Sequence, residues 1–242
     1  MKEEKINLII LNNKCNFKKK EYEEYLSSLE KYIEKKSTAK KVILCPSTCY
    51  LCYKKSEKII LGSQNVSMEE MGSHTGEVAA SQLYSIGVKY TIIGHQELRR
   101  FHNEDNQVIN KKIKQLLKNN IIPILCVGEI EKEKKEVILE KIKKDIKEAV
   151  VNIEKEEQEK IILAYEPAWA IGGNITDDLE KIEEMIKEIK KYLPNNKIIY
   201  GGGLNLENIK YLKEISEIEG FLLGSISLDV SMINRLLQEL ET

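Results

Sequence analysis

Eight short apolar runs, spaced along 242 residues, constrain the fold of this chain more than any other feature. They are KINLIIL (5–11), KKVILC (40–45), KIILGS (58–63), KYTIIG (89–94), NIIPILCVG (120–128), KIILAY (160–165), KIIYGG (197–202) and GFLLGS (220–225). Each is continuously apolar, without the polar alternation of a half-exposed strand, so each reads as a strand buried on both faces. Each is also too short to stand as a free helix.

The intervals between the runs carry helical periodicity. Ile109, Ile113, Leu116 and Leu117 share one face, as do Leu139, Ile142, Ile146 and Val150. The same holds for Leu179, Ile182, Ile186 and Ile189, and for Ile233, Leu236, Leu237 and Leu240. The opposite faces are Lys and Glu, which makes them solvated surface. Thr176, before Asp177 and Asp178, reads as a helix N-cap with acids in the first turn. No linker, low-complexity tract or close internal repeat breaks the alternation. Eight strands alternating with helices and ending on a helix are the pattern of a single (β/α)8 barrel spanning residues 1–242. A doubly wound open sheet is the rival architecture.

Charge excludes some partners. The 38 basic residues nearly cancel the 39 acidic ones, for a net charge of -1, so no bulk attraction to nucleic acid or membrane is expected. The opening segment MKEEKINLIILNNK has too short an apolar core for a signal peptide, and no run approaches a membrane span, so a cytoplasmic location is expected. Five cysteines, an odd number, favour reduced thiols over a disulfide framework.

A barrel of this kind presents its functional groups at the C-terminal ends of its strands. Asn12 and Lys14 follow the first run, and His95 and Glu97 follow the fourth. Glu166 closes the sixth within AYEPAWAIGG (164–173), while YGGG and GSISL follow the seventh and eighth. Glycine-bearing turns after the last two strands are where barrels hold phosphate on backbone N–H groups. Taken singly, each of these residues has an ordinary structural reading as a turn or hydrogen-bonding group. Together they supply a carboxylate, an imidazole and an ammonium beside a prospective phosphate site.

The ordered motifs NxKxN (12–16), QN (64–65), TGEV (75–78), IIGHxExR (92–99), PILCVGE (123–129), AYEPxWAIG (164–172), IxYGG (198–202) and GFLLGxxSL (220–228) carry a resemblance. From Asn12 to about Leu228 the chain resembles the triosephosphate isomerase family, and AYEPxWAIG is its most specific element. The resemblance implies a TIM barrel that interconverts dihydroxyacetone phosphate and glyceraldehyde 3-phosphate through an enediolate, with no metal or organic cofactor. The roles it implies are those already established for the family. Glu166 is the base that takes a proton from the carbon next to the carbonyl, and a neutral His95 polarises the oxygens. Lys14 supplies positive charge, Asn12 donates a hydrogen bond to the substrate, and backbone N–H groups of Gly172, Gly203, Gly224 and Ser225 hold the phosphate. PAWAIGGN (167–174), with Trp169 as apolar anchor, reads as a lid that keeps water from an enediolate prone to eliminate phosphate. The partners implied are a small phosphorylated sugar and a second copy of the chain, docked through the loop around Thr75.

The chain departs from the family pattern at several positions. Asn13 replaces a tryptophan, His74 an aromatic residue, Gln96 a serine and Leu98 an arginine. GGNI (172–175) replaces GTGK, Gly203 replaces a serine and Ser225 a glycine. Asn13, His74 and Leu98 are expected to touch the region that packs the Thr75 loop into a second subunit. Gln96 bears on the resting hydrogen bond of Glu166. Gly203 keeps its N–H but loses a hydroxyl worth roughly 0.5–1.5 kcal/mol. Three rival functions remain open in the sequence: a sibling isomerase of a four-carbon sugar phosphate such as erythrulose phosphate, a non-catalytic barrel, and an iron–sulfur enzyme. The last rests on CPSTCYLC, where Cys45, Cys49 and Cys52 resemble the C-x3-C-x2-C motif of radical S-adenosylmethionine enzymes.

Overall fold

In a computed structural model the eight apolar runs form the eight parallel strands of one closed barrel, paired in chain order with the last strand beside the first. The structure describes residues 6–36, 38, 40–54, 56–129, 131, 133–167 and 179–241. The strands are β1 (Leu8–Asn12), β2 (Lys41–Cys45), β3 (Ile59–Ser63), β4 (Tyr90–Ile93), β5 (Ile122–Val127), β6 (Ile162–Tyr165), β7 (Ile198–Tyr200) and β8 (Ile218–Leu223). The helices around them are α1 (Lys19–Lys35), α2 (Ala80–Ser85), α3 (Gln96–Phe101), α4 (Asn106–Lys118), α5 (Lys135–Ala149), α6 (Lys155–Gln158), α7 (Leu179–Lys190), α8 (Ile209–Leu212) and α9 (Val230–Glu239). Closure of the sheet excludes the open doubly wound alternative.

The continuous apolarity of the strands follows from their two buried faces. Leu8, Ile10, Ile92, Ile124, Cys126, Ile162, Ala164 and Leu222 belong to a cluster inside the barrel. Their neighbours Ile9, Leu11, Ile93, Leu125, Leu163 and Tyr165 pack outward in the core shared with the helices. Because side chains alternate along a strand, the order that turns Ile162 and Ala164 inward also turns Glu166 inward, at the mouth. Asn12 follows Leu8 and Ile10 in the same way.

Two sequence expectations are corrected in detail. The buried face of α5 is Ile138, Ile142, Ile146 and Ala149, whereas Leu139 and Val150 are half-buried. Ile138 and Leu139 are adjacent, so spacing alone does not choose which side of the helix meets the barrel. The eighth strand begins at Ile218 and stops at Leu223, so Gly224 and Ser225 leave the sheet, and Ser225–Leu228 coils into a 3-10 helix. Thr176, expected as an N-cap, lies outside the described residues, as do Trp169 and Gly172 of the expected lid. Among the described residues no helix is long and apolar enough to cross a membrane.

Candidate active site

A cavity of about 720 Å³ opens at the C-terminal mouth of the barrel and is lined by Asn12, Lys14, His95, Glu166, Gly203, Gly224 and Ser225 among others. Every residue expected from the sequence to catalyse or bind substrate is thus brought to one place, except Gly172, which lies outside the described residues.

Glu166 continues the ladder of β6 by one rung, donating its N–H to the Val127 carbonyl at 2.8 Å. Its carboxylate is buried at 5% exposure, and Oε2 has no partner among the described residues. Burial raises its pKa above the ordinary value, opposed by the nearby His95, by a hydrogen bond from Cys126 and by Lys14. Burial also pushes the Cys126 thiol well up, with the Glu166 charge adding to the effect, so Cys126 stays protonated and serves as a donor. Gly201 makes room for this carboxylate. A Cβ there would stand 2.8 Å from Glu166 Cγ and 3.1 Å from Oε1. The Gln96 side chain makes no hydrogen bond to Glu166 among the described residues; the carboxylate turns to His95 and Cys126 instead.

His95 caps the N-terminus of α3. Its Nδ1 accepts the backbone N–H of Glu97 at 3.2 Å. A nitrogen that accepts carries no proton, so the neutral ring holds its single hydrogen on Nε2, 3.4 Å from Glu166 Oε1. The turn that delivers His95 runs through Gly94 at φ +65, a conformation natural to glycine. Both backbone groups of Gly94 are held: its N–H donates to Glu104 Oε2 at 3.0 Å, and its carbonyl accepts from Arg99 Nε at 2.9 Å. Glu104 is paired in the interior with Lys112, which also donates to Asn65 Oδ1 at 2.7 Å.

Lys14 adopts φ 51, a left-handed conformation that costs a side-chain-bearing residue roughly 1–3 kcal/mol. Its surroundings hold it there. The carbonyl accepts from Ser47 Oγ at 2.7 Å and Gln64 Nε2 at 2.9 Å, and its N–H donates to Asn12 Oδ1 at 3.2 Å. The ammonium is aimed by an ion pair with Glu97 at 2.7 Å. Ser47, Gln64, Glu104, Lys112 and Cys126 are supports that sequence reasoning left without a role. Gln64, Cys126 and Ser47 stand in stretches that carry the family resemblance, whereas Glu104 and Lys112 carried no local signal.

Across the cavity, the backbone N–H groups of Gly203, Gly224 and Ser225 donate to no protein acceptor among the described residues. Gly203 presents its carbonyl the other way, to Asn208 Nδ2 at 2.8 Å. Such free N–H groups in one cavity with a lysine suit an anion.

The three cysteines of CPSTCYLC are not gathered. Cys45 is buried inside the barrel, whereas Cys49 and Cys52 are exposed on the 3-10 helix Thr48–Tyr53. Among the described residues no group of three His, Cys, Asp or Glu side chains is arranged to hold a metal ion. The iron–sulfur reading is therefore set aside. Asn13 departs from expectation too. His74 and Leu98 line a groove with Thr75, but Asn13 is turned into the interior and bonds Ser227 and Tyr25.

A closed parallel barrel with a buried carboxylate, a neutral imidazole and a lysine facing free backbone N–H groups defines a class: barrels built for acid–base chemistry on a small anionic substrate. Comparison with known proteins narrows the class. The family model for triosephosphate isomerase matches residues 7–240, and the chain belongs to the triosephosphate isomerase family. It is 36% identical over 237 residues to a triosephosphate isomerase of Clostridium botulinum, covering 91% of this chain and 94% of that protein. It is 38% identical over 216 residues to one from Dictyoglomus turgidum, covering 82% and 85% respectively. A Mycoplasma mobile triosephosphate isomerase is 40% identical over 179 residues, 71% of each chain.

Proposed function

We propose that this chain is an isomerase that interconverts dihydroxyacetone phosphate and glyceraldehyde 3-phosphate by proton transfer through an enediolate, in glycolysis and gluconeogenesis. One observation carries the reading: the carboxylate of Glu166 and the Nε2–H of His95 meet in a cavity that also holds Lys14 and three free backbone N–H groups.

The carbon acid of such a substrate is weak, so the base must be placed closely and the oxyanion met by donors already in position. Glu166 takes the proton from one carbon and returns it to its neighbour, and its raised pKa suits both steps. His95 Nε2–H stabilises the two enediolate oxygens without carrying a charge itself. Lys14 offsets the negative charge of the phosphate and the developing oxyanion, and Asn12 supplies a further hydrogen bond. The backbone N–H groups of Gly203, Gly224 and Ser225 hold the phosphate, joined by Gly172 from the lid.

The whole chain, residues 1–242, acts as one barrel domain in the cytoplasm. It works as a homodimer through the loop around Thr75. Residues 71–77 are all exposed, with Met71 at 67%, which supports a docking role for this loop.

The test is kcat/KM for glyceraldehyde 3-phosphate, measured on the wild type beside Glu166→Gln, with a four-carbon ketose phosphate as comparator. A wild-type value of about 10⁶–10⁸ M⁻¹s⁻¹ that falls steeply in the variant is expected. A wild type no faster than the variant, or one faster on the four-carbon substrate, overturns the reading.

A further inference from the structure

We infer that Asn13 and Ser227 are positioning residues that set the lysine loop and the phosphate turn in fixed relation to each other. The inference rests on the isomerase reading and adds two residues to it.

The two segments are far apart in sequence and adjacent in space because β1 pairs with β8, Leu11 lying opposite Leu223. Beyond that last pair each strand runs out of ladder, and the two chains diverge into the site. Asn12 and Lys14 lie on one side, Gly224 and Ser225 on the other. Side chains replace the missing rungs. Ser227 Oγ donates to the Asn12 carbonyl at 2.9 Å. Asn13 Nδ2 answers by donating to the Ser227 carbonyl at 3.1 Å, with Ser227 Oγ at 3.4 Å sharing that hydrogen. Its other hydrogen reaches Tyr25 Oη at 3.3 Å. The Asn13 N–H completes the anchorage on the Cys45 carbonyl at 3.1 Å.

Both residues are sealed from solvent, Asn13 at 1% exposure and Ser227 at 0%. Asn13 Oδ1 has no hydrogen-bond partner among the described residues, so burying this amide costs the fold an unsatisfied acceptor. A leucine would fill similar space without that cost. What the amide contributes is the pair of donors that tie Ser227 to α1. Tyr25 is itself held, its ring stacked on Phe17 at 4.8 Å, and Tyr50 Oη donates to the Phe17 carbonyl at 3.1 Å. The loop from Asn13 to Phe17 is thus clamped at both ends, and the phosphate turn is attached to the clamped loop. Lys14 and the Ser225 N–H must act on one substrate at once, so drift between them loses interactions that depend on geometry.

Asn13→Leu and Ser227→Ala, singly and together, test this in the full-length enzyme. The readouts are kcat/KM for glyceraldehyde 3-phosphate and for unphosphorylated glyceraldehyde, the calorimetric Kd of inorganic phosphate, and Tm. Each single substitution is expected to lower kcat/KM for the phosphorylated substrate about tenfold, the scale of one hydrogen bond. The ratio of the two kcat/KM values should fall with it, phosphate should bind several-fold more weakly, and the double variant should be no worse than the poorer single one. Tm of Asn13→Leu should stay within about 4 °C of the wild type, because losing the unsatisfied acceptor offsets part of the donors lost. A parallel fall for both substrates, an unchanged phosphate Kd, or additive losses overturns the proposal. Should wild type lack isomerase activity, the parent reading fails by itself, and the phosphate Kd of Ser227→Ala still decides this one.

Discussion

His95 Nε2 stands 3.4 Å from Glu166 Oε1, and both side chains are buried. The two residues come from different strand ends, brought together by closure of the barrel, and no intervening residue separates proton acceptor from donor. Separate neighbours act on each of them. The Glu97 backbone N–H commits the imidazole to a proton on Nε2, and burial weakens the acidity of the carboxyl group. On the proposed function, a substrate carbon and its oxygens entering this gap meet a carboxylate and a neutral donor that are already in place.

Removing the base should separate activity from stability. Glu166→Gln is expected to lower kcat/KM by about 10²–10⁴, the usual contribution of a positioned general base. The same variant should be more stable than wild type at neutral pH. Folding raises the pKa of Glu166, so the native state holds this proton more tightly than the unfolded chain does. Ionisation therefore subtracts stability above the folded pKa, and the subtraction vanishes as pH falls toward the unfolded value. Thermal melts across pH should show the gap between variant and wild type closing on acidification. A wild type more stable than the variant at neutral pH would contradict this.

The acid limb of the kcat/KM profile should report the same group. Its midpoint is expected above about 4.3, the ordinary glutamate value, because burial outweighs the opposing influence of His95, Cys126 and Lys14. A midpoint at or below the ordinary value would mean that the carboxylate is better solvated than its burial indicates.

Gly201→Ala should impair catalysis with the fold intact. The added methyl would lie 2.8 Å from Glu166 Cγ, closer than atoms tolerate, so the carboxylate must move. A displacement of this order costs about 100-fold in kcat. Far-UV circular dichroism and steady-state rates on one preparation check it, and a rate within about threefold of wild type would show that the base accommodates the methyl.

Lys112→Met should act chiefly on stability. Lys112 neutralises Glu104, whose other oxygen holds the Gly94 N–H beneath His95, and both side chains of the pair are buried. Breaking such a pair leaves a buried charge and costs about 3–5 kcal/mol. Urea unfolding measures the loss, and Lys112→Met with Glu104→Gln together should recover part of it. An unchanged midpoint in the single variant would count against the pair.

Much of this candidate site was legible in the sequence because the residues proposed to react occupy strand ends. The periodicity that buries Ile162 and Ala164 also assigns Glu166 to the inside, and the apolar run ending at Asn12 does the same for the first strand. Their supports were not legible in that way. Nothing local to Ser47 or Gln64 indicates that both hold the Lys14 carbonyl, since their partner is a backbone atom many residues away. Asn13 read as part of a subunit-facing region and proved to be an interior residue, because the direction of a side chain beyond the last strand rung is set by what packs against it. Likewise the C-x3-C-x2-C spacing suggested a cluster, but Cys45 lies on a strand face turned into the barrel while Cys49 and Cys52 ride an exposed turn.

The sequence by itself determined the number of strands, their alternation with helices, and which polar groups stand at the strand ends. Those depend on periodicity and chain order, which are local properties. Closure into a barrel rather than an open sheet was settled by the tertiary structure. The tertiary structure alone decided which nitrogen of His95 carries the proton, how far it lies from Glu166, and which side chains keep Lys14 in a strained conformation. These depend on contacts between residues up to hundreds of positions apart, and only closure of the barrel brings such residues within bonding distance.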